Sequence, residues 1–269
     1  MITICATPKP FEGHIGMIQE NAIKSWLAND NAEVILCGDE KGVEEMARKH
    51  KVRHIPNIEK NELGTPLLDD IFYKIQREAK GELICYVSAD VMLFLNDFDF
   101  KWKGNFFGAG YRYNANVDKP LVFDINFEVN QCKKYNSSAM DYWIFPKGMF
   151  QKFPAFTVGR GAQEGWIMWY CKKNKIPTFD FTGYIVAIHQ NHDYRHITPY
   201  SKGWDKTLEF ERNIKLAGGF FYLRTLRDVD FILGENGVET PKLSWYKLFF
   251  SNPFGQFLLG LRRLIRYYL

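Results

Sequence analysis

The chain has 269 residues, 46% hydrophobic and 25% charged, a folded composition long enough for one large core. Its formal charge of +4 excludes a general nucleic-acid footprint because the basicity is local: Lys242, Lys247, Arg262, Arg263 and Arg266 all follow the last acid, and +4 less these five leaves −1 for the rest. The five cysteines are odd in number, irregularly spaced and without a C-x-x-C pair, which excludes a disulfide scaffold and predicts a reduced, cytoplasmic compartment.

Residues 2–7 read as a strand and residues 15–27 as an amphipathic helix, with Ile15, Ile18, Ala22, Ile23 and Trp26 on one face. A strand over 33–37, a helix over 43–50 and a short strand over 52–55 follow. Next come a helix over 66–79, with Pro66 near its start, and a strand over 83–88. Strands alternating with helices imply crossovers and an α/β fold with a doubly wound sheet. Cys5, Cys37 and Cys85 each sit in one of the strand runs, where cysteine behaves as a small buried hydrophobe. Beyond Asp90 the order loosens. Residues 106–111, 142–145 and 184–189 read as strands and 164–173 as a helix. Residues 205–216 read as a helix with Leu208, Ile214 and Leu216 turned inward. The expected division is one domain over 1–235 and a tail over 236–269.

The start of the chain lacks the basic region of a signal peptide, and no run of about 18 apolar residues predicts a spanning helix. The tail differs from the body. Phe254, Phe257, Leu258, Leu261, Leu264, Ile265 and Tyr268 recur at helical spacing as one apolar stripe, with Arg262, Arg263 and Arg266 off it. Trp245, Tyr246, Phe249 and Phe250 precede it. An apolar face with flanking arginines, aromatics and no acids suits a helix lying in a membrane surface. The other reading is a C-terminal helix docked on the body or on a partner.

The strand at 83–88 belongs to the stretch Leu83-Ile84-Cys85-Tyr86-Val87-Ser88-Ala89-Asp90-Val91-Met92-Leu93. An apolar run ends in one carboxylate and then turns apolar again. At the carboxyl end of a strand in an open α/β sheet, such an acid points to a ligand or a metal.

Four segments together resemble GT-A-type glycosyltransferases, and more narrowly bacterial and plant nucleotide-diphospho-sugar transferases. They are Cys5-Ala6-Thr7-Pro8-Lys9-Pro10-Phe11, the strand ending in Ser88-Ala89-Asp90, the block Gly159-Arg160-Gly161-Ala162-Gln163-Glu164-Gly165-Trp166, and His189-Gln190-Asn191-His192-Asp193-Tyr194. The likeness spans roughly residues 1–200 and implies a GT-A-like (Rossmann-like) doubly wound mixed sheet in a single domain. It implies that Thr7, Pro8 and Lys9 hold the nucleotide base and ribose, with Asp39 after the second strand beside the base. Gly64 and Thr65 open a helix whose backbone N–H groups face ribose or phosphate. The alternative is an ordinary helix start with Pro66 in its first turn.

In the family an Asp-x-Asp motif chelates a divalent cation that bridges the donor's two phosphates. Here the motif reads Ser88-Ala89-Asp90, without the first carboxylate. The likeness then implies Asp90 as one ligand and His189 as a second, with Mn2+ better suited to imidazole than Mg2+. The open alternative is that Asp90 contacts only ribose and no metal is required. Glu164 takes the place of the acid that deprotonates the acceptor hydroxyl, unless it only opens its helix. Asp141 is the rival base or a sugar-binding acid. Arg160 neutralises diphosphate charge or sits in an ion pair.

His189, His192, Asp193 and His196 are spaced as on one helical face, which would suit a metal-dependent hydrolase. The β-branched run before His189 argues for a strand and a turn instead. The favoured function is transfer of a sugar from a nucleotide-diphosphate donor, such as a UDP-sugar, to a glycan or lipid-linked acceptor in surface polysaccharide synthesis, at the inner face of the membrane. The alternatives are a sugar nucleotidyltransferase or hydrolase built on the histidines, and a non-catalytic nucleotide-sugar-binding module.

Overall fold

A computed structural model describes residues 1–95, 99–121, 132–193, 207–234, 237–242, 249–250 and 252–268. The first half alternates strand and helix: β1 (Ile2–Ala6), α1 (Gly13–Leu27), β2 (Ala32–Cys37), α2 (Val43–Lys49), β3 (Arg53–Ile55), α3 (Leu68–Glu78) and β4 (Leu83–Val87). β1 pairs in parallel with β2 on one side and β4 on the other, and β2 pairs in parallel with β3. The chain therefore winds outward from β1 to β3, then crosses back to place β4 on β1's other flank.

Alternate residues of these strands feed opposite faces, as the pleat requires. Cys5, Ile84 and Tyr86 pack with Leu68, Ile71, Phe72 and Ile75 of α3. Ile4, Ala6, Cys85 and Val87 pack with Ala22, Ile23 and Trp26 of α1 and Val43 and Ala47 of α2. A strand buried on both faces must be apolar throughout, which is why these runs do not alternate in polarity.

After β4 come β5 (Val91–Phe94), β6 (Phe107–Ala109), β7 (Arg112–Ala115), β8 (Lys133–Lys134), β9 (Tyr142–Pro146), α4 (Gln163–Lys173), β10 (Thr178–Asp180) and β11 (Val186–Gln190). Then follow α5 (Leu208–Leu216), two short 3-10 turns (Phe220–Tyr222 and Leu226–Asp228), β12 (Phe231–Gly234), β13 (Gly237–Glu239) and α6 (Pro253–Tyr268). β9 runs antiparallel to both β4 and β6, so the main sheet is mixed, in the order β13-β12-β10-β6-β9-β4-β1-β2-β3. β5, β11, β7 and β8 form a second sheet.

The expected α/β doubly wound sheet is present, with three corrections. Residues 91–94, left unassigned, form β5, and the expected strand over 106–111 shortens to β6, with β7 following beyond it. α5 does not turn Leu208 inward: that side chain is 73% exposed, and the helix buries Glu209, Phe210 and Asn213 instead. The reason is polar packing. Asn213 accepts from the Thr157 N–H and donates to the carbonyls of Thr157 and Gly161, so the inner face of α5 meets loop backbone. Residues 205 and 206 of the expected helix lie outside the described residues. All five cysteines are free thiols, and Cys5, Cys37, Cys85 and Cys171 are buried.

α6 docks on the turn at 220–222 through its small and polar face, burying Gly255, Gln256 and Gly260. Phe254, Phe257, Leu261, Ile265 and Tyr268 of the apolar stripe stay exposed. Trp245, Tyr246 and Lys247, also read as part of the tail, lie outside the described residues. No helix among the described residues is long and apolar enough to cross a membrane.

Candidate active site

The reversal of winding at β1 and β4 fixes where a ligand can bind. Both strands point the same way, so the loops that follow them leave the same sheet edge side by side, at the topological switch point. A cleft of about 910 Å³ opens there, near the upper end of the roughly 300–1,000 Å³ usual for small-molecule sites. Thr7, Pro8, Lys9, Ser88 and Asp90 line it from these two loops. Gln19, buried on α1, clamps the first loop by accepting from the Lys9 N–H at 2.7 Å and donating to the Lys9 carbonyl at 2.9 Å.

β5 and β11 pair antiparallel with Val91 opposite His189, so the register alone sets His189 beside Asp90. Gln190, fully buried, donates to the Asp90 carbonyl and the Ile18 carbonyl and fixes this corner to α1. Asp90 Oδ2 lies 2.9 Å from His192 Nε2 and 3.1 Å from Lys9 Nζ, and Asp90 Oδ1 lies 3.9 Å from His189 Nε2. Burial alone would raise the Asp90 carboxyl. The Lys9 ammonium and the His192 hydrogen bond outweigh it and hold Asp90 well below the usual carboxylate range. Burial pushes His189 down, toward the neutral form a metal requires, against the pull of Asp90.

Asp90, His189 and His192 present ligand atoms within 4.8 Å of one another. One carboxylate and two imidazoles form a mixed O/N donor set that fits a divalent ion such as Mn2+. His189 Nδ1 is buried without a hydrogen-bond partner among the described residues. The expected pair therefore becomes a trio. His192, which the sequence offered only within the histidine cluster of the hydrolase reading, is the added member, three residues from His189. The helical arrangement of the histidines is not formed: His189 lies in β11 and residues 191–193 are irregular. His196 lies outside the described residues.

Glu164 and Asp141 line the same cleft. Glu164 stands in the first turn of α4, reached through Gly161 and Ala162, both at φ +70°. Left-handed backbone at a non-glycine residue is strained, and such residues cluster at sites where a side chain must be aimed. Burial, reinforced by the charge of Asp141, pushes Glu164 up to about 7. Asp141 itself accepts from Arg112 at 2.7 Å. Its charge is thus paired within the protein.

Arg160 also lines the cleft, but its Nε donates to Glu209 at 2.5 Å, so its charge is partnered inside the protein. Gly64 and Thr65 line it too, yet their amides are not free. Gly64 N–H donates to the Asn61 carbonyl and Thr65 N–H to the Asn61 side chain. Leu67 and Leu68 N–H groups go to the Glu59 and Phe156 carbonyls. This corrects the expectation of open amides at that turn. Asp39 is exposed and paired with Lys60 at 2.6 Å, and the cleft lining includes its neighbour Glu40 instead. Arg224, Arg263 and Arg266, which the sequence did not single out as site residues, line the far wall.

No family model matches the chain, and no curated protein matches its sequence. Solved structures with partial likeness include Staphylococcus aureus TarS residues 1–349 in complex with UDP-GlcNAc, at 12% identity and TM-score 0.47 over 80% of this chain and 65% of that one. Glucosyl-3-phosphoglycerate synthase from Mycobacterium tuberculosis, with Mn2+, UDP and phosphoglyceric acid, gives 13% and 0.48 over 91% and 87%. Mannosyltransferase PcManGT from Pyrobaculum calidifontis, with GDP-Man and Mn2+, gives 10% and 0.44 over 72% and 58%. The chain thus spans less than two thirds of the TarS and PcManGT chains. Superpositions this loose at identities this low carry no functional weight, and the site stands on its own geometry.

Proposed function

We propose that the protein is a glycosyltransferase that moves a sugar from a nucleotide-diphosphate donor to a glycan or lipid-linked acceptor. One observation carries this reading: a single switch-point cleft joins Asp90, His189 and His192, whose ligand atoms lie within 4.8 Å of one another, to the Glu164 carboxyl raised to about 7. Thr7, Pro8 and Lys9 lie where the nucleotide would enter, with Asp90 at the diphosphate. Asp90, His189 and His192 would hold a divalent cation, which supplies charge stabilisation to the departing diphosphate.

The residues of the chain perform the rest. Ionised Glu164 accepts the proton of the acceptor hydroxyl, and that oxygen bonds to the anomeric carbon. The bond from that carbon to the diphosphate oxygen breaks, and its electron pair leaves with the diphosphate. Lys9, beside Asp90, adds positive charge on the same side. The exposed stripe on α6, bounded by Arg262 and Arg266 and free of acids, supports a peripheral position on the inner face of a membrane.

The test is incubation with a panel of sugar nucleotides with and without Mn2+. Donor hydrolysis or transfer that falls about 10²–10⁴-fold in Glu164→Gln is the expected result. Absence of binding and turnover with every donor contradicts the reading. For the membrane position, protein ending at residue 252 should lose sedimentation with anionic vesicles, and equal sedimentation contradicts it.

A further inference from the structure

The far wall of the cleft has a composition the transfer step does not require. It is built from the segment 220–225 and from α6, and it presents Arg224, Arg263 and Arg266 toward the same space as Glu164. The wall abuts the element that carries the base. Arg224 N–H donates to the Gly165 carbonyl at 3.0 Å, and a Cβ at Gly165 would meet Leu223 Cβ at 3.0 Å and the Arg224 carbonyl at 3.1 Å. Arg263 is fastened to this segment in turn, with Nη1 donating to the Leu223 carbonyl at 2.8 Å and the Phe220 carbonyl at 3.4 Å. Arg224 Nη1 donates to the carbonyls of Phe221 and Leu223, each at 3.0 Å. Two guanidiniums are thus set by backbone at one place, and Arg266 follows Arg263 by three residues, nearly one helical turn. The segment 220–225 and α6 carry no acid; beside them, Asp228 accepts from Thr225 and Gln256, and Glu211 of α5 accepts from the Tyr267 hydroxyl.

We propose that this wall is an anion subsite for the acceptor, and that the acceptor carries a phosphate ester close to the hydroxyl that receives the sugar. The inference rests on the transferase reading and specifies its acceptor class. A hydroxyl placed at Glu164 brings the substituents beside it over Gly165 and onto Arg224. Guanidiniums pair with phosphate oxygens in forked geometry, and several on one wall suit a doubly charged ester better than a neutral glycan. α6 then has two working faces: Arg263 and Arg266 inward on the acceptor, and the apolar stripe outward. Either a soluble sugar phosphate or a lipid headgroup supplies this chemistry.

The test is calorimetric binding to the full chain with UDP and Mn2+ present. The probes are glycerol 3-phosphate for the soluble source, decyl phosphate for the lipid source, and decyl maltoside as the uncharged control. Binding of at least one phosphate probe is expected, weakened about tenfold or more in Arg224→Gln and in Arg266→Ala. Arg262→Ala, which removes an equal charge from α6 outside the cleft lining, is expected to bind as wild type. Because Arg263 also fastens α6, Arg263→Ala counts only where its melting curve matches wild type, and the other two variants stand without it. UDP binding in every variant separates this claim from the transferase reading: if UDP fails to bind the wild type, that reading fails first. With UDP bound, three results overturn the subsite: neither phosphate probe binds, decyl maltoside binds as well as decyl phosphate, or Arg262→Ala weakens binding as much as Arg266→Ala.

Discussion

Glu164 shows how one methylene-bearing acid acquires a pH-dependent task. Its carboxyl is raised to about 7 by burial and by the nearby Asp141 charge. The base works only when ionised, so kcat/KM for transfer is expected to rise with pH and level off above about 7. An activity plateau already complete near pH 5 contradicts the assignment. Stability runs the other way. A carboxyl raised by folding contributes stability that is fully present below its ordinary pKa and is lost as pH rises through about 7. Glu164→Gln removes the buried charge, so its melting temperature should exceed wild type at pH 8, with the gap closing at pH 5. Lys9 makes a second residue-scale prediction. Its ammonium and a divalent cation compete for the same Asp90 oxygen. Without nucleotide, Lys9→Met should bind Mn2+ more tightly than wild type by calorimetry, and weaker or equal binding contradicts that competition. The place of Asp90 in the cleft was legible in the sequence because a lone acid ending an apolar strand has few structural uses. His192 was less so: its part depends on the β5–β11 register, a long-range pairing that no local pattern encodes.

At the scale of elements, α6 is the clearest case of a face read correctly and a docking mode missed. Most of the apolar stripe stays exposed, while the helix buries Gly255, Gln256 and Gly260 and lays Phe257 on Phe221 and Tyr267 on Phe220. Gly260 permits this: a Cβ there would stand 2.2 Å from a Phe221 ring carbon. Gly260→Leu should therefore undock α6, seen as faster hydrogen exchange at 220–225 and 253–268, with β1 and β4 protection unchanged. Unchanged exchange in those segments contradicts this packing. α5 was misread for a related reason. Its inward positions are Glu209 and Asn213, satisfied by Arg160, Asn61 and loop backbone, so polarity no longer marks the outer face. Helices α1 and α3 were legible because they pack on an apolar sheet face, where periodicity and burial coincide.

At the scale of the whole molecule, the βα order of the first 88 residues is local information and was readable. The runs of β9 and β11 also read as strands, but the antiparallel insertion of β9 and the second sheet are long-range pairings that no local pattern encodes. The floor of the cleft ties the two levels together. Phe72 of α3 packs edge-on against Tyr86 and Trp143 at ring-centroid distances of 5.5 and 6.2 Å, and Tyr86 meets Thr7 at 3.2 Å. Phe72→Ala should cost about 3–5 kcal/mol in denaturant unfolding, as expected for a buried phenylalanine. A loss under about 1 kcal/mol would mean the floor is not packed this way.

The central claim is that the switch-point cleft binds a nucleotide-diphosphate sugar through a cation held at Asp90. The most direct measurement is equilibrium binding of UDP- and GDP-sugars with and without Mn2+, to wild type and to Asp90→Asn. Binding of at least one donor that strengthens with Mn2+, and loses that dependence in Asp90→Asn, is the predicted result. Binding of none, or a Mn2+ dependence that survives Asp90→Asn, contradicts it.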